Sequence, residues 1–187
     1  MTISSGLVDV LKLLMVGALS LAPMSCASDD PGAAADSSST SSPIEGVQTY
    51  PDLARDHTED DVAYPQSPPV GGPHDPAWLD CNGQVYDVAV RDENAVHSLE
   101  HGAVWLTYQP DLPSSDIKVL MNKVQGQPYS FLSPYPGQSA RVIATAWGVR
   151  LQLDSVDDPR LDEFFSLYRQ GPQTPEPGAA CTGGVMP

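Results

Sequence analysis

The sequence predicts an α+β fold: a single two-layer domain with a small, mostly antiparallel sheet, two or three helices and a long Pro/Gly-rich N-terminal loop. Two observations predict this class. Runs with apolar residues at helical spacing alternate with short runs of bulky, β-favouring residues, in the order helix, strand, helix, strand, strand, strand, helix. The segment before these runs is too rich in proline for regular structure. We expect one domain over residues 50–187, with the helices packed on the sheet.

The N-terminal segment has the pattern of a signal peptide over residues 1–25. Residues 7–22 are mostly apolar, yet this run is short for a membrane span. Small Ser25 before Cys26 resembles a bacterial lipobox, in which the cysteine is acylated and becomes the mature N-terminus, although Pro23 replaces the usual leucine. The alternatives are a lipoprotein, a cleaved secreted protein and an uncleaved anchor.

Two further segments lack the pattern of regular structure. Residues 26–49 are rich in Ser, Asp, Ala and Pro and predict a disordered tether, because so few apolar groups cannot offset the entropy of ordering. Residues 64–78 contain five prolines and two glycines, but also Tyr64, Val70 and Trp78 as apolar anchors. We therefore expect this second segment to be an ordered loop that lies on the domain.

The first helix is predicted over residues 92–101, since Asp92 can cap its N-terminus and Gly102 ends it. Residues 103–108 follow as a strand of bulky β-favouring side chains. A second helix over residues 113–124 has its apolar residues in one stripe at helical spacing.

The second half of the domain is predicted to contain three strands and a helix. The strands cover residues 129–133, 141–147 and 149–153, with Gly148 breaking the chain between the last two. The final strand alternates apolar and polar residues, as a half-buried strand does. An aspartate caps the last helix, which has one apolar face: Asp157 or Asp158 as the cap, then Leu161, Phe164, Phe165 and Tyr168.

The chain is strongly acidic, with a formal net charge of −15. This charge argues against binding to nucleic acid or to anionic lipid head groups, both of which repel it. It could instead concentrate cations at the surface, or simply keep the protein soluble.

Of the three cysteines, two remain if Cys26 carries lipid. Outside the cytoplasm, Cys81 and Cys181 would most often form a disulfide. A metal–thiolate site is the competing interpretation, but both cysteines lie in glycine-flanked loops without a Cys-x-x-Cys partner.

The four histidines are candidate metal ligands. His97 and His101 are four residues apart, so a helix would place them on one face, and His57 and His74 lie in loop-like sequence upstream. Three or four imidazoles from separate turns of chain suit Cu²⁺ or Zn²⁺. The alternative is that the histidines only form hydrogen bonds in the core or at the surface.

Glu100 lies between the histidines of the 97–101 run. His-x-x-Glu-His is also the spacing of the inverzincin metallopeptidases, in which the glutamate is a general base. The predicted helix ends directly after the motif, however, and no second helix offers a distant glutamate ligand. We expect the Glu100 carboxylate to orient a metal-binding histidine by contacting its second ring nitrogen, or simply to face water.

These motifs together resemble a bacterial family catalogued as domain of unknown function number 3105. The resemblance covers roughly residues 55–153 and rests on a Pro-Pro-x-x-Gly-Pro-His loop and a His-x-Leu-Glu-His-Gly run. The matching positions are His57, His74, His97, Glu100, His101 and Gly102. The family has no established activity to carry over. Similar proteins often have a signal peptide or a membrane anchor.

The sequence thus predicts an extracytoplasmic domain of the bacterial envelope, lipid-anchored or secreted, that binds one transition-metal ion through His74, His97, His101 and His57. We expect Cu²⁺ or Zn²⁺, held for sequestration, delivery or sensing rather than for turnover, with no organic cofactor. The alternative is a non-catalytic structural or interaction lipoprotein with an envelope protein partner. A small zinc hydrolase is a third possibility.

Overall fold

The computed structural model describes residues 42–187, a single α+β domain of one six-stranded sheet and three helices, as predicted. The predicted signal peptide, Cys26 and most of the predicted tether lie outside the described residues. No helix among residues 42–187 has the length and apolar character needed to cross a membrane. The elements in chain order are β1 (Gln48–Thr49), β2 (Asn82–Val85), α1 (Asp92–Glu100), β3 (Val104–Tyr108), α2 (Ser114–Val124), β4 (Ser130–Pro134), β5 (Val142–Ala146), β6 (Val149–Leu153) and α3 (Arg160–Tyr168).

The strands are ordered β1-β6-β5-β3-β4-β2 across the sheet. The pairs β1–β6, β5–β6 and β3–β5 are antiparallel, whereas β3–β4 and β2–β4 are parallel. A parallel pair needs a long crossover, which α2 supplies between β3 and β4. The sheet is therefore mostly antiparallel, with a parallel part at the β2 edge.

Strand β3 separates two apolar clusters because successive side chains point to opposite faces of the sheet. Val104 and Leu106 face a cluster that includes buried residues of α2 and α3. Trp105 faces the other cluster, with Ala95 and Leu99 of α1. Helix α1 thus packs on one face of the sheet, and its remaining surface is free to meet the loop that precedes it.

Two short edge strands differ from the elements expected from the sequence. The domain was placed from residue 50, yet Ile44 is only 5% exposed in the core and β1 pairs with β6. Strand β2 has the sequence Asn-Gly-Gln-Val, which lacks bulky β-favouring residues, and pairing with β4 rather than local preference makes it a strand. Tertiary contact therefore orders segments that look irregular when read alone.

The C-terminal tail, residues 171–187, is held on the domain by a disulfide between Cys81 and Cys181. The two cysteines are 100 residues apart in sequence, and their Cα atoms are 4.8 Å apart. Hydrogen bonds reinforce it: the amide of Cys81 donates to the carbonyl of Cys181, and that of Val185 to the carbonyl of Trp78. The amide of Glu176 also donates to the carbonyl of Glu100, at the end of α1. The tail therefore covers the C-terminus of α1.

Candidate metal site

Four side chains converge between α1 and the segment that precedes it, which contains His57 and the proline-rich loop of residues 64–78. One donor atom each from His57, His74, His97 and Glu100 lies within 4.8 Å of the others. His74, His97 and Glu100 are buried, whereas the His57 side chain is 51% exposed. The described chain thus contains a His₃Glu group that could hold a metal ion.

The proline-rich loop places His74 at the site. Gly71 has φ +144, and a Cβ atom there would lie 2.7 Å from a methyl of Leu53 and 3.2 Å from the Trp147 ring. Only glycine allows so close an approach. The chain then returns beside residue 57: the amide of Thr58 donates to the carbonyl of His74, at 2.7 Å. Backbone pairing therefore brings His57 and His74 together.

Helix α1 supplies the other two donors. His97 and Glu100 are three residues apart and share one face of the helix. The ring of His97 lies against both loop histidines, with ring centroids 5.1 Å from His57 and 4.9 Å from His74. The helix and the loop thus form opposite sides of one cluster.

Arg91, just before α1, ties the loop to the helix. Its guanidinium forms ion pairs with Asp75 and with Glu93, and donates a hydrogen bond to the carbonyl of Glu59. The other carboxylate oxygen of Glu93 accepts the amide of Val62, at 2.7 Å. These contacts hold the loop on both sides of the cluster.

Backbone carbonyls set the tautomer of three histidines. A carbonyl oxygen only accepts, so a ring nitrogen beside one carries the proton, and the other nitrogen of a neutral ring keeps its lone pair. This assignment follows from the hydrogen-bond network. The Nδ1 atoms concerned are those of His74, 2.8 Å from Gly72 O, His97, 2.6 Å from Asp75 O, and His101, 2.7 Å from Ala180 O. Their Nε2 atoms are therefore the available donors, oriented as in many histidine–metal sites.

The closest approach in the cluster is between His74 and Glu100. Nε2 of His74 is 2.9 Å from Oε2 of Glu100, yet it is a buried polar atom without a hydrogen-bond partner among the described residues. In the neutral tautomer, a lone pair therefore faces a carboxylate in a buried place. Two acceptors so close repel each other unless a proton or a cation lies with them.

His97 is neutral at ordinary pH. Burial, with smaller contributions from the neighbouring His101, His74 and His57, lowers its pKa to about 4, against the opposing effect of the hydrogen bond to the carbonyl of Asp75. A neutral imidazole is the form that binds a metal.

The widest separations between the donor atoms exceed those between the ligands of a bound ion. Ligands about 2.0–2.1 Å from Zn²⁺ in a tetrahedron lie about 3.3 Å from one another. The widest separation here is 4.8 Å, and Nε2 of His57 is 4.0 Å from Oε2 of Glu100. A contraction of about 1–1.5 Å would close the set around an ion with that ligand spacing.

His101, one of the predicted ligands, lies beside this group rather than in it. Its ring centroid is 4.5 Å from that of His97 and 5.2 Å from that of Trp78, and its Nε2 is 3.9 Å from a carboxylate oxygen of Glu176. The hydrogen bond to Ala180 in the tail turns the ring this way. A contact with a segment 79 residues away carries no local sequence signal.

Glu100 takes a position in the cluster that we had expected His101 to take. Its spacing from His97 was the available signal, since residues three and four apart share a helical face equally well. The group that could hold a metal ion thus includes His97 and Glu100 of the His-x-x-Glu-His run, and His101 lies outside it.

One protein family matches this chain. The sequence profile of a family described as "Protein of unknown function (DUF3105)" matches residues 56–183, a span that contains all four clustered side chains and both cysteines of the disulfide. No curated protein and no solved structure matches the chain. Because the match covers more than half of its length, the chain belongs to the DUF3105 family of proteins of unknown function.

Proposed function

We propose that this protein binds one transition-metal ion, Cu²⁺ or Zn²⁺, through His57, His74, His97 and Glu100. Its role would be metal sequestration, delivery or sensing in the bacterial cell envelope. The apolar run at residues 7–22 and the Ser25-Cys26 pair support export and lipid anchoring. The disulfide supports an oxidising compartment.

The contact between His74 and Glu100 carries the proposal. Burial removes water from His74 Nε2, its tautomer leaves a lone pair there, and a carboxylate oxygen of Glu100 lies 2.9 Å away. A divalent cation satisfies both atoms at once, and the further donors of His57 and His97 complete four ligands.

The donor set favours Cu²⁺ or Zn²⁺ over a Cu⁺ carrier. Imidazole and carboxylate are ligands of intermediate hardness, whereas Cu⁺ prefers thiolate and thioether. Within residues 42–187, both cysteines are joined in the disulfide. Neither methionine belongs to the site: Met121 packs against the apolar cluster that contains Leu106, and Met186 lies beside Tyr86. Copper is our first choice, because affinities at such sites rise toward Cu²⁺.

Calorimetric titration of the purified chain tests the proposal. We expect about one equivalent of Cu²⁺ or Zn²⁺ to bind, and His74→Ala to abolish binding because a buried donor is lost. His101→Ala is the matched control: it also removes a buried imidazole beside His97, yet should retain one equivalent. Circular dichroism establishes that both variants are folded. A wild-type chain that takes up neither ion overturns the proposal.

The same contact also fits a second candidate, a non-catalytic structural or interaction module of the envelope. If His74 is protonated on both nitrogens, its pairing with Glu100 is a buried ion pair that needs no metal. The melting temperature separates the two. The metal-binding protein gains stability with added Zn²⁺ and loses it with chelator, whereas the structural module responds to neither.

A further inference from the structure

His57 differs from the other three donors in exposure and in support. Its side chain is 51% exposed, while those of His74 and Glu100 are 0% and 5% exposed. Backbone carbonyls hold the rings of His74 and His97, whereas within residues 42–187 no hydrogen bond holds the ring of His57. His57 is therefore the donor that can move toward an ion or away from it at least cost.

The segment around His57 is acidic and open to solvent. Asp56, Glu59, Asp60 and Asp61 are exposed, and Arg55 is the one basic side chain among them. Arg91 offsets part of this charge, since it lies 3.6 Å from Asp61. The remaining carboxylates give the exposed side of the cluster a negative potential, which attracts cations and speeds their association.

The inner wall of the cluster has the opposite character. His74 Nε2 is fully buried, has no hydrogen-bond partner among the described residues and lies within the cluster, 2.9 Å from Oε2 of Glu100. A cation that passes His57 therefore meets donors already fixed in place by the proline loop and by α1. Of the four donors, His57 at the acidic edge is exposed and the other three are buried.

We propose that the cation enters and leaves this site past the acidic segment 56–61, and that His57 is its exchangeable ligand. This inference rests on the proposed metal-binding function. On entry, His57 replaces a water on an ion already bound to His74, His97 and Glu100. On release, a water or an incoming donor replaces His57, so that the number of ligands is conserved. A site built in this way suits transfer of the ion rather than permanent retention.

Stopped-flow kinetics on the whole chain test the role of His57. Bound Cu²⁺ quenches tryptophan fluorescence, and Trp78 and Trp147 are suitable reporters, with ring centroids 5.7 Å from His97 and 5.9 Å from His74. For His57→Ala, we expect one equivalent of Cu²⁺ still to bind, release to a chelator to be at least tenfold faster, and free imidazole to restore slow release. The matched control, His101→Ala, should release Cu²⁺ at the wild-type rate.

A second pair of variants tests the acidic entrance. Asp56→Asn/Glu59→Gln/Asp60→Asn removes three carboxylates at the edge, and Asp111→Asn/Asp154→Asn/Asp157→Asn removes three exposed ones elsewhere. We expect the first triple variant to take up Cu²⁺ several-fold more slowly at low ionic strength, with the difference lost in concentrated salt. The second should match the wild type within about twofold, because charges elsewhere on the surface contribute little to the potential at the entrance.

The outcomes separate this inference from the proposed function. If the wild type binds one equivalent but His57→Ala either abolishes uptake or leaves release unchanged, the inference is wrong and the metal site stands. Equal uptake rates for the two triple variants would likewise contradict entry of the cation past the acidic segment 56–61. If the wild type binds neither Cu²⁺ nor Zn²⁺, both proposals fail together.

Discussion

The carboxylate of Glu100 faces a histidine nitrogen that, in the neutral ring, also accepts. Replacing this carboxylate by an amide should therefore have opposite effects with and without metal. In metal-free Glu100→Gln, the new N–H group can donate to His74 Nε2, adding a hydrogen bond worth about 1 kcal/mol. We expect the melting temperature without metal to rise by about 2–4 °C, and most of the shift produced by saturating Zn²⁺ to disappear.

Scanning calorimetry with and without chelator measures both effects. Glu163→Gln, an exposed substitution on α3, is the control and should change neither value. A fall in the melting temperature of metal-free Glu100→Gln would contradict this account, because it would mean that His74 is protonated on both nitrogens and paired with the carboxylate.

Asp92 gives a second residue-scale prediction, on pH. Burial, with a smaller contribution from the charge of Glu93, raises its pKa to about 6, against the opposing effect of the hydrogen bond that Tyr135 donates to it. The folded protein therefore holds a proton on Asp92 that the unfolded chain has already lost above its ordinary pKa. Stability from this group is complete below about pH 4 and is lost as the pH rises through 6.

Asp92→Asn removes this dependence, because an amide does not titrate yet can still accept from Tyr135. The free energy of unfolding of the variant, measured relative to the wild type, should be about 1–2 kcal/mol higher at pH 7 than at pH 4. The full pKa shift corresponds to about 3 kcal/mol, and we expect less because the side chain is partly exposed. Urea unfolding at both pH values measures the difference. A constant difference would contradict the prediction.

At the scale of elements, local signals predicted α1, α2 and α3 and strands β3 to β6, because capping and stop residues, apolar residues at helical spacing and bulky β-favouring runs all lie within short stretches of sequence. It missed β1 and β2, edge strands with two and four residues that exist only through their pairing. The proline loop was predicted to be ordered, and its anchor Val70 is fully buried. What the pattern could not specify was the path of that loop.

The loop's path depends on Gly71, and its replacement should loosen the site. In Gly71→Ala, the added methyl must displace Leu53 or the Trp147 ring, and the positive φ is strained as well. We expect a loss of about 2–4 kcal/mol in free energy of unfolding and weaker metal binding, because His74 follows three residues later. Chemical denaturation and calorimetric titration measure the two effects.

Gly126→Ala is the matched control for this substitution. Gly126 also has a positive φ, +73, but a Cβ there meets nothing within 4 Å. It should cost only about 1 kcal/mol from backbone strain and leave metal binding unchanged. Equal losses for the two variants would show that strain alone, and not the close approach to Trp147, limits the position.

Across the whole molecule, the sequence singled out all four histidines as one group, whereas the structure brings three of them together with Glu100. His57, His74 and His97 meet because the loop returns along residue 57 and packs on α1. His101 is directed elsewhere by the tail, and the tail's position depends on the disulfide. The contact that turns His101 away joins residues 79 apart in sequence, so helical spacing alone could not distinguish Glu100 from His101.

Loss of the disulfide should therefore separate the stability of the fold from binding at the site. In Cys81→Ser/Cys181→Ser, the unfolded chain regains the entropy of an open loop, so we expect the free energy of unfolding to fall by about 3–5 kcal/mol. None of the four donors lies in the tail, so the folded variant should still bind one equivalent of metal. Zn²⁺ at a free concentration of about 100 times its Kd should then restore about 2.7 kcal/mol of the free energy of unfolding. Denaturation of both proteins with and without Zn²⁺ measures this, and loss of metal binding in a folded variant would mean that the tail shapes the donors themselves.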